Sequence, residues 1–230
     1  MPKPTAWRPI LAQWGLQSDQ THREQSFQAW LAVQLAPYFT VRHECEGRTL
    51  RGGEARRIDF LCWPRPSLAA HWGRPVVFGI ECKYPLGWTG GNAVRQWIGQ
   101  MVEYRHCAFD TRQGPQIPHF ILSAPPLLEV VEQEMGLGDD LARWTQRIAH
   151  ECGLGELHFY PRSYESPRDY AGNMSETILE IRFNGTGCFW SNRRPVPPVS
   201  CWPGKHILEP RHEPAPVSVR GLSVRLDGQP

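Results

Sequence analysis

Lysine is scarce in this chain of 230 residues, and arginine supplies most of the positive charge. Lys3, Lys83 and Lys205 are the three lysines, so 25 basic residues minus 3 leaves 22 arginines. A guanidinium group suits bidentate contacts with phosphate, but the net charge of +2 is too small to indicate a nucleic-acid partner by itself. Because lysine is so rare, the position of Lys83 at the end of an apolar run requires a specific explanation.

Long apolar stretches are missing as well. The sequence has no run of 18 or more apolar residues, so we expect no membrane-spanning helix. Residues 1–4 do not begin an apolar segment of the kind that a secretory signal needs. We therefore expect a cytoplasmic protein.

The cysteines have neither the number nor the spacing of a disulfide framework. There are seven, an odd number without regular spacing, which predicts reduced thiols. His150 with Cys152, and Cys201 with His206, resemble metal ligands, but neither forms a paired ligand set of known spacing. We therefore expect no structural zinc, and no motif marks a cysteine as a nucleophile.

Hydrophobic patterning divides the chain into four parts. These are an N-terminal extension at 1–17, a core domain at 18–152, a β-rich extension of short strands at 153–192 and a proline-rich tail at 193–230. The core is predicted to be an α/β domain with the order helix, three strands, helix, strand, helix. The predicted elements are a helix at 18–38, strands at 39–46, 56–63 and 76–83, a helix from Asn92 to about Phe109, a strand at 119–123, a helical segment at 127–151 interrupted near 136–138, and strands at 156–160, 177–183 and 187–191.

The first predicted helix carries a start signal. Thr21-x-x-Glu24 fits a capping box, in which the glutamate bonds to the amide group at its own helix start. This interpretation competes with a role for Glu24 in an ion-binding site, because a side chain engaged in its own cap is not free to bind an ion.

Two acidic residues and the rare lysine lie on neighbouring apolar runs. Asp59 follows Ile58 in the first run, and Glu81 and Lys83 stand two residues apart at the end of the second. Strand alternation places Glu81 and Lys83 on one face. Two carboxylates on adjacent strands can hold Mg²⁺, which prefers oxygen ligands and keeps several waters, and the backbone carbonyl of Cys82 is a further candidate ligand. With an ammonium beside a metal-bound water, the pattern predicts metal-dependent phosphodiester hydrolysis.

The motif Ile58-Asp59, followed after about twenty residues by Glu81-x-Lys83, resembles the PD-(D/E)XK nuclease superfamily, with Ile58 in place of the usual proline. The resemblance covers roughly residues 20–125. It implies a restriction-endonuclease-like three-layer sandwich, in which a mixed central sheet is flanked by helices. It also implies Mg²⁺ as the cofactor, with Mn²⁺ as a substitute.

The flanking helices add to the resemblance. Glu24, on the helix before the strands, stands where many members carry a third acidic ligand. Gln100-x-x-x-Tyr104, on the helix after Lys83, is similar to the Gln-x-x-x-Tyr motif of the RecB-like and phage-exonuclease branches. The resemblance implies that Gln100 and Tyr104 support substrate binding, and Gln96 shares their helix face.

Arginines cluster near the strand that carries Asp59. They could bind the phosphates beside the cleaved phosphodiester bond, or the segment could be an ordinary solvent-exposed hairpin. Arg57 is the candidate nearest to Asp59 in sequence. The members of this cluster are Arg42, Arg48, Arg51, Arg56 and Arg57.

Three hypotheses follow. The first is a Mg²⁺-dependent nuclease that hydrolyses DNA, in which Asp59 and Glu81 bind the metal, Lys83 assists the water, and Glu24 is a third carboxylate with Glu44 and Glu46 as rivals. The second is a catalytically silent nuclease-fold subunit that binds DNA or a partner protein. The third is a structural module in which the two carboxylates point apart. DNA is the expected partner, together with a second copy of the chain or another subunit.

Overall fold

The computed structural model describes residues 7–12, 19–72, 76–86, 88, 91–134, 139–161, 177–183 and 186–191. The predicted proline-rich tail at 193–230 lies outside these residues. The helices are α1 (Arg8–Ala12), α2 (Gln20–Leu35), α3 (Pro66–Trp72), α4 (Gly91–Tyr104), α5 (Leu127–Glu134) and α6 (Asp139–Glu151). The strands are β1 (Phe39–Thr49), β2 (Ala55–Pro64), β3 (Phe78–Cys82), β4 (Cys107–Phe109), β5 (Ile121–Ala124), β6 (Leu154–Pro161), β7 (Thr177–Phe183) and β8 (Thr186–Trp190).

The eight strands in the described residues form one mixed sheet, with the order β4-β1-β2-β3-β5-β6-β7-β8. The strands β3, β5 and β6 are parallel, and the remaining pairs are antiparallel. Helix α4 lies in the crossover from β3 to β5, and α5 and α6 lie in the crossover from β5 to β6, as parallel pairing requires. The protein is therefore an α/β protein with a mixed central sheet, as the sequence predicts.

The centre of the sheet is buried at every position. β3 and β5 have no exposed residue, which explains why their sequences read as continuous apolar runs. Aromatic contacts cross the core from β1 to β7: the ring centroids of Phe39 and Phe78 are 5.2 Å apart, those of Phe78 and Phe120 are 4.9 Å apart, and those of Phe120 and Phe183 are 5.1 Å apart. One continuous core thus joins the N-terminal and C-terminal strands.

The predicted capping box of α2 is wrong. Helix α2 begins at Gln20, and its N-cap is Asp19, whose side chain accepts a hydrogen bond from the backbone N–H of His22 at 2.8 Å. An aspartate is as good an N-cap as a threonine, so the cap lies two residues earlier than Thr21. The side chain of Glu24 is consequently not required at the helix start and points elsewhere.

The predicted helix from Asn92 to Phe109 ends too late. α4 spans Gly91–Tyr104, with Asn92 inside its first turn, and the chain then turns. The backbone N–H of Arg105 donates to the carbonyl of Val102. Cys107–Phe109 forms the edge strand β4 against β1, because its buried side chains complete the core at that edge.

The strands of the predicted β-rich extension, β6 to β8, continue the central sheet. β6 is parallel to β5 through the pair Ser123 and Glu156, and β7 and β8 follow as antiparallel neighbours. The rings of Phe27 and Trp30 on α2 each lie 5.4 Å from that of Phe159 on β6, so the first long helix packs on these late strands.

None of the helices in the described parts of the chain is long and apolar enough to cross a membrane.

A buried charged network connects α5 and α6 to β6. The ring of His158 lies between two carboxylates, with Nδ1 3.4 Å from Glu129 and Nε2 3.3 Å from Glu156. Glu156 also accepts hydrogen bonds from the amide N–H of Leu128 at 2.6 Å and from the side chain of Gln146 at 2.8 Å. Burial alone would lower the pKa of His158, but the two glutamates outweigh it and raise that pKa above its ordinary value.

We expect His158→Gln to destabilise the protein by about 3 kcal/mol, because removal of one partner leaves buried carboxylates without their counter-charge. The native pKa of His158 is raised, so its stabilising contribution is complete below about pH 6.5 and is lost as the pH rises through the native pKa. Urea unfolding between pH 5 and pH 9 measures both effects. The exposed His43 provides the control variant His43→Gln, and equal losses in the two variants would contradict this account.

Candidate functional site

Asp59 and Glu81 meet where β2 and β3 end their pairing. Phe60 pairs with Ile80, so Asp59 and Glu81 are the next residues along their strands. Oδ2 of Asp59 accepts a hydrogen bond from the backbone N–H of Cys82 at 2.7 Å. This bond holds the Asp59 carboxylate against the end of β3, beside Glu81.

Lys83 connects the end of β3 to helix α2. Its Nζ lies 2.8 Å from Oε1 of Glu81 and 3.4 Å from Oε1 of Glu24 on α2. The predicted common face of Glu81 and Lys83 is thus confirmed, and the structure brings Glu24 to the same cluster. The side chain of Glu81 is only 2% exposed, whereas those of Lys83 and Glu24 are 21% and 23% exposed. The cluster is therefore buried where it meets the sheet and partly exposed to solvent beside α2.

The cluster holds three carboxylates and one ammonium in a mostly buried position. Burial, with the repulsion from Glu24, raises the pKa of Asp59 to about 6 against the opposing pull of Lys83. Burial and the charge of Asp59 raise the pKa of Glu81 to about 8. Burial alone would lower the pKa of Lys83, but Glu81 and Glu24 outweigh it and raise that pKa above its ordinary value. Lys83 is thus positively charged at neutral pH, and the carboxylates lack sufficient counter-charge.

One carboxylate oxygen of the cluster lacks a hydrogen-bond donor in the part of the chain that the structure describes. Oε2 of Glu81 is buried and accepts no hydrogen bond among the described residues, while Oε1 is engaged by Lys83. A buried carboxylate oxygen without a partner is costly, and a divalent cation is a ligand that satisfies it. The donor set, oxygen atoms of Glu81 and Asp59, is the kind that Mg²⁺ prefers.

In the described parts of the chain, no three His, Cys, Asp or Glu side chains are arranged as a ready-made metal-binding group. Mg²⁺ does not require one, because it keeps several waters and takes only one or two protein carboxylates together with substrate phosphate oxygens. Cys82 lies between Glu81 and Lys83 with its side chain fully buried, and its carbonyl stays a predicted ligand. The residues present fit a magnesium site in which the protein supplies only one or two carboxylate ligands.

Helix α4 supports the strand that carries Asp59. The hydroxyl of Tyr104 donates to the backbone carbonyl of Arg57 at 2.6 Å, and Nε2 of Gln100 donates to that hydroxyl at 2.6 Å. Tyr104 is only 1% exposed, so it contacts the protein and positions β2 two residues before Asp59. Gln96 is exposed on the same helix.

A second contact between α4 and β2 is not among the sequence predictions. The guanidinium of Arg56 makes a bidentate ion pair with Glu103, at 2.8 Å through Nε and 2.6 Å through Nη2. Glu103 directly precedes Tyr104, so consecutive residues of α4 hold consecutive residues of β2. No sequence signal identifies this pair, because Arg56 is one of many arginines and the two residues are 47 positions apart.

We expect Tyr104→Phe to lower the free energy of unfolding by about 1–2 kcal/mol, because the partly buried hydrogen bond to Arg57 loses its donor. Gln96→Ala, on the exposed side of the same helix, should change that free energy by less than about 0.5 kcal/mol. Urea unfolding of the two variants checks this. A Tyr104→Phe protein with unchanged stability would favour the direct substrate contact that the family resemblance implies.

The rivals of Glu24 lie elsewhere. Glu44 and Glu46 on β1 are exposed, and Glu44 has a backbone φ of 45°, an unusual value for a non-glycine residue. The side chain of Glu44 lies 3.8 Å from that of Arg57, and both are more than half exposed. Glu24 is therefore the third carboxylate of the cluster. Arg57 is an exposed cation near the start of β2.

Comparison of the chain with models of known protein families, with curated proteins and with solved structures finds no match. The function is therefore inferred from the chemistry of the site itself.

Proposed function

We propose that this protein is a Mg²⁺-dependent nuclease that hydrolyses phosphodiester bonds in DNA. The single observation that carries the proposal is that the buried Oε2 of Glu81 accepts no hydrogen bond from any donor in the described residues, beside Asp59 and with Lys83 bound to the other oxygen. Asp59 and Glu81 would hold the ion, and Glu24 is the third carboxylate within the cluster. The resemblance of the motif to the PD-(D/E)XK nucleases favours the same function. It implies a restriction-endonuclease-like three-layer sandwich, with which a mixed central sheet and flanking helices are consistent.

The bound metal would supply Lewis-acid activation of water and charge neutralisation on the phosphate. The chain's own residues have separate tasks. Asp59 is fixed by the Cys82 amide, so its second oxygen keeps a defined direction. Lys83 remains an ammonium because two carboxylates surround it, so it acts by binding phosphate oxygens or orienting water and not by accepting a proton. Tyr104 and Glu103 hold the strand that presents Asp59.

The proposal is tested with purified protein and three substrates: supercoiled, linear duplex and single-stranded DNA. Each is incubated with Mg²⁺, with Mn²⁺ or with EDTA. Cleavage of at least one substrate with either metal and none in EDTA is the expected result. A protein that binds DNA but cleaves no substrate under any of these conditions would contradict the proposal and favour the catalytically silent subunit.

A further inference from the structure

Among the surface cavities lined by described residues, one combines positive charge with an aromatic ring and has no acidic lining. A cavity of about 790 Å³ includes Glu54 and Glu103 in its lining, and another, of about 310 Å³, includes Glu46 and Asp110. The cavity of about 540 Å³ between β1 and the segment after β4 is lined instead by Thr40, Val41, Arg42, Trp63, Thr111, Arg112 and Gln113. We call it the Arg42–Arg112 cavity.

The two arginines of this cavity are available to a ligand. Arg42 and Arg112 are exposed, and neither makes an ion pair with a carboxylate in the described parts of the chain. By contrast, Arg56 in the cavity of about 310 Å³ is already bound to Glu103. Two free guanidinium groups on one cavity match the charge and the planar, bidentate geometry of a phosphate group.

Trp63 gives the cavity a second kind of recognition. It packs on the hydrophobic core but is only partly buried, so one part of its indole surface is fixed and another faces the cavity. A half-buried, rigid aromatic ring is a platform on which an unpaired base stacks. Polar side chains of Thr40 and Gln113 complete the lining and are suited to sugar or base edges.

The position of the cavity relates it to the carboxylate cluster. Trp63 lies four residues after Asp59 on β2, about 13 Å along the strand at ~3.3 Å per residue. Arg42 pairs across the sheet with Leu61, between these two residues. The cavity and the carboxylate cluster therefore lie along the same pair of strands, four residues apart on β2.

We propose that the Arg42–Arg112 cavity binds one nucleotide unit of a single DNA strand, with its phosphate between Arg42 and Arg112 and its base against Trp63. The identity of the ligand as DNA rests on the proposed function. The stacking platform requires an unpaired base, so the preferred substrate is single-stranded or has a frayed end, and blunt duplex DNA binds this cavity more weakly.

Fluorescence anisotropy in EDTA tests the proposal without cleavage. A labelled single-stranded oligonucleotide and a blunt duplex of the same length are titrated with the full chain. The Arg42→Ala/Arg112→Ala variant should bind the single strand at least about tenfold more weakly, and the slope of log affinity against log salt should fall by about 1.4 for two lost phosphate contacts on a single strand. Trp63→Leu should weaken single-strand binding by a similar factor without changing that slope.

The Arg143→Ala/Arg147→Ala variant removes two exposed arginines from α6 and is the matched control, expected to change the affinity less than threefold. An equal loss in the control, or equal effects on single strand and duplex, would overturn the assignment of the cavity. If the single strand binds as described but no DNA is cleaved in Mg²⁺, the proposed function fails while the cavity assignment stands. If cleavage occurs but the double arginine variant binds normally, only the cavity assignment fails.

Discussion

An Asp59→Asn variant is expected to lose Mg²⁺-dependent DNA cleavage by at least about a thousandfold. The substitution keeps the size of the side chain but removes one of the two negative charges that would hold the metal beside Glu81. Lys83→Met, which keeps the aliphatic chain and removes the ammonium, should lower cleavage by about 10²–10⁴-fold. Initial rates at saturating DNA and metal measure both losses.

The two variants should differ in metal binding. Asp59→Asn removes a ligand, so its affinity for Mn²⁺ in calorimetry should fall with its activity. Lys83→Met removes a competing cation from Glu81, so Mn²⁺ should bind at least as well as in the wild type. The exposed Glu46 provides the matched control Glu46→Gln, which should keep both activity and affinity. Near-normal cleavage by either Asp59→Asn or Lys83→Met, in folded protein, would contradict the assigned roles.

The second large expected effect is a dependence of folding stability on pH that arises mainly from Glu81. The pKa values of Asp59 and Glu81 in the metal-free native protein are raised to about 6 and about 8. The folded state therefore binds more protons than the unfolded state between about pH 4 and pH 8, and the stability contributed by this pair falls as the pH rises through that window. The expected slope is up to about 1.4 kcal/mol per pH unit for each proton.

Glu81→Gln removes the more strongly perturbed charge. We expect the metal-free variant to be more stable than the wild type at pH 8, and the two proteins to converge below about pH 5. The difference between their urea-unfolding curves isolates Glu81 from His158, whose contribution is common to both. A wild type that gains stability between pH 6 and pH 8 relative to Glu81→Gln would contradict the assignment of a raised pKa.

Metal binding should oppose this pH effect. Because the ion competes with the protons on Asp59 and Glu81, the affinity for Mn²⁺ should rise by about tenfold per pH unit for each proton displaced, up to about pH 8. In Glu81→Gln the affinity should be lost and the thermal stability should no longer respond to the metal. Differential scanning fluorimetry with and without Mn²⁺ measures this response.

The parts of the site that lie close together in sequence were predictable. A glutamate and a lysine two residues apart on an apolar strand identify their common face by alternation alone, and Asp59 stands at a comparable position on the neighbouring run. The buried strands β3 and β5 were recognisable for the same reason, since a strand covered on both faces has no polar alternation.

Contacts between distant segments were not predictable in the same way. A capping box is a local pattern and competes with an ion-binding role for Glu24 in the sequence, whereas the contact of Glu24 with Lys83 depends on how α2 packs across the sheet. The addition of β6 to β8 to the central sheet depends on the pairing of Ser123 with Glu156, which no periodicity encodes. The hydrogen bond from Tyr104 is likewise not predictable, because its acceptor is a backbone carbonyl and no residue type in the sequence identifies it.

The most direct measurement is a crystal of the protein soaked in Mn²⁺ and analysed by anomalous diffraction. The proposal predicts an anomalous peak in contact with Oε2 of Glu81 and with a carboxylate oxygen of Asp59, at about 2.0–2.3 Å from each, and its disappearance in Glu81→Gln. A Mn²⁺-dependent nuclease whose only anomalous peaks lie away from both carboxylates would contradict the assignment of this cluster as the metal site.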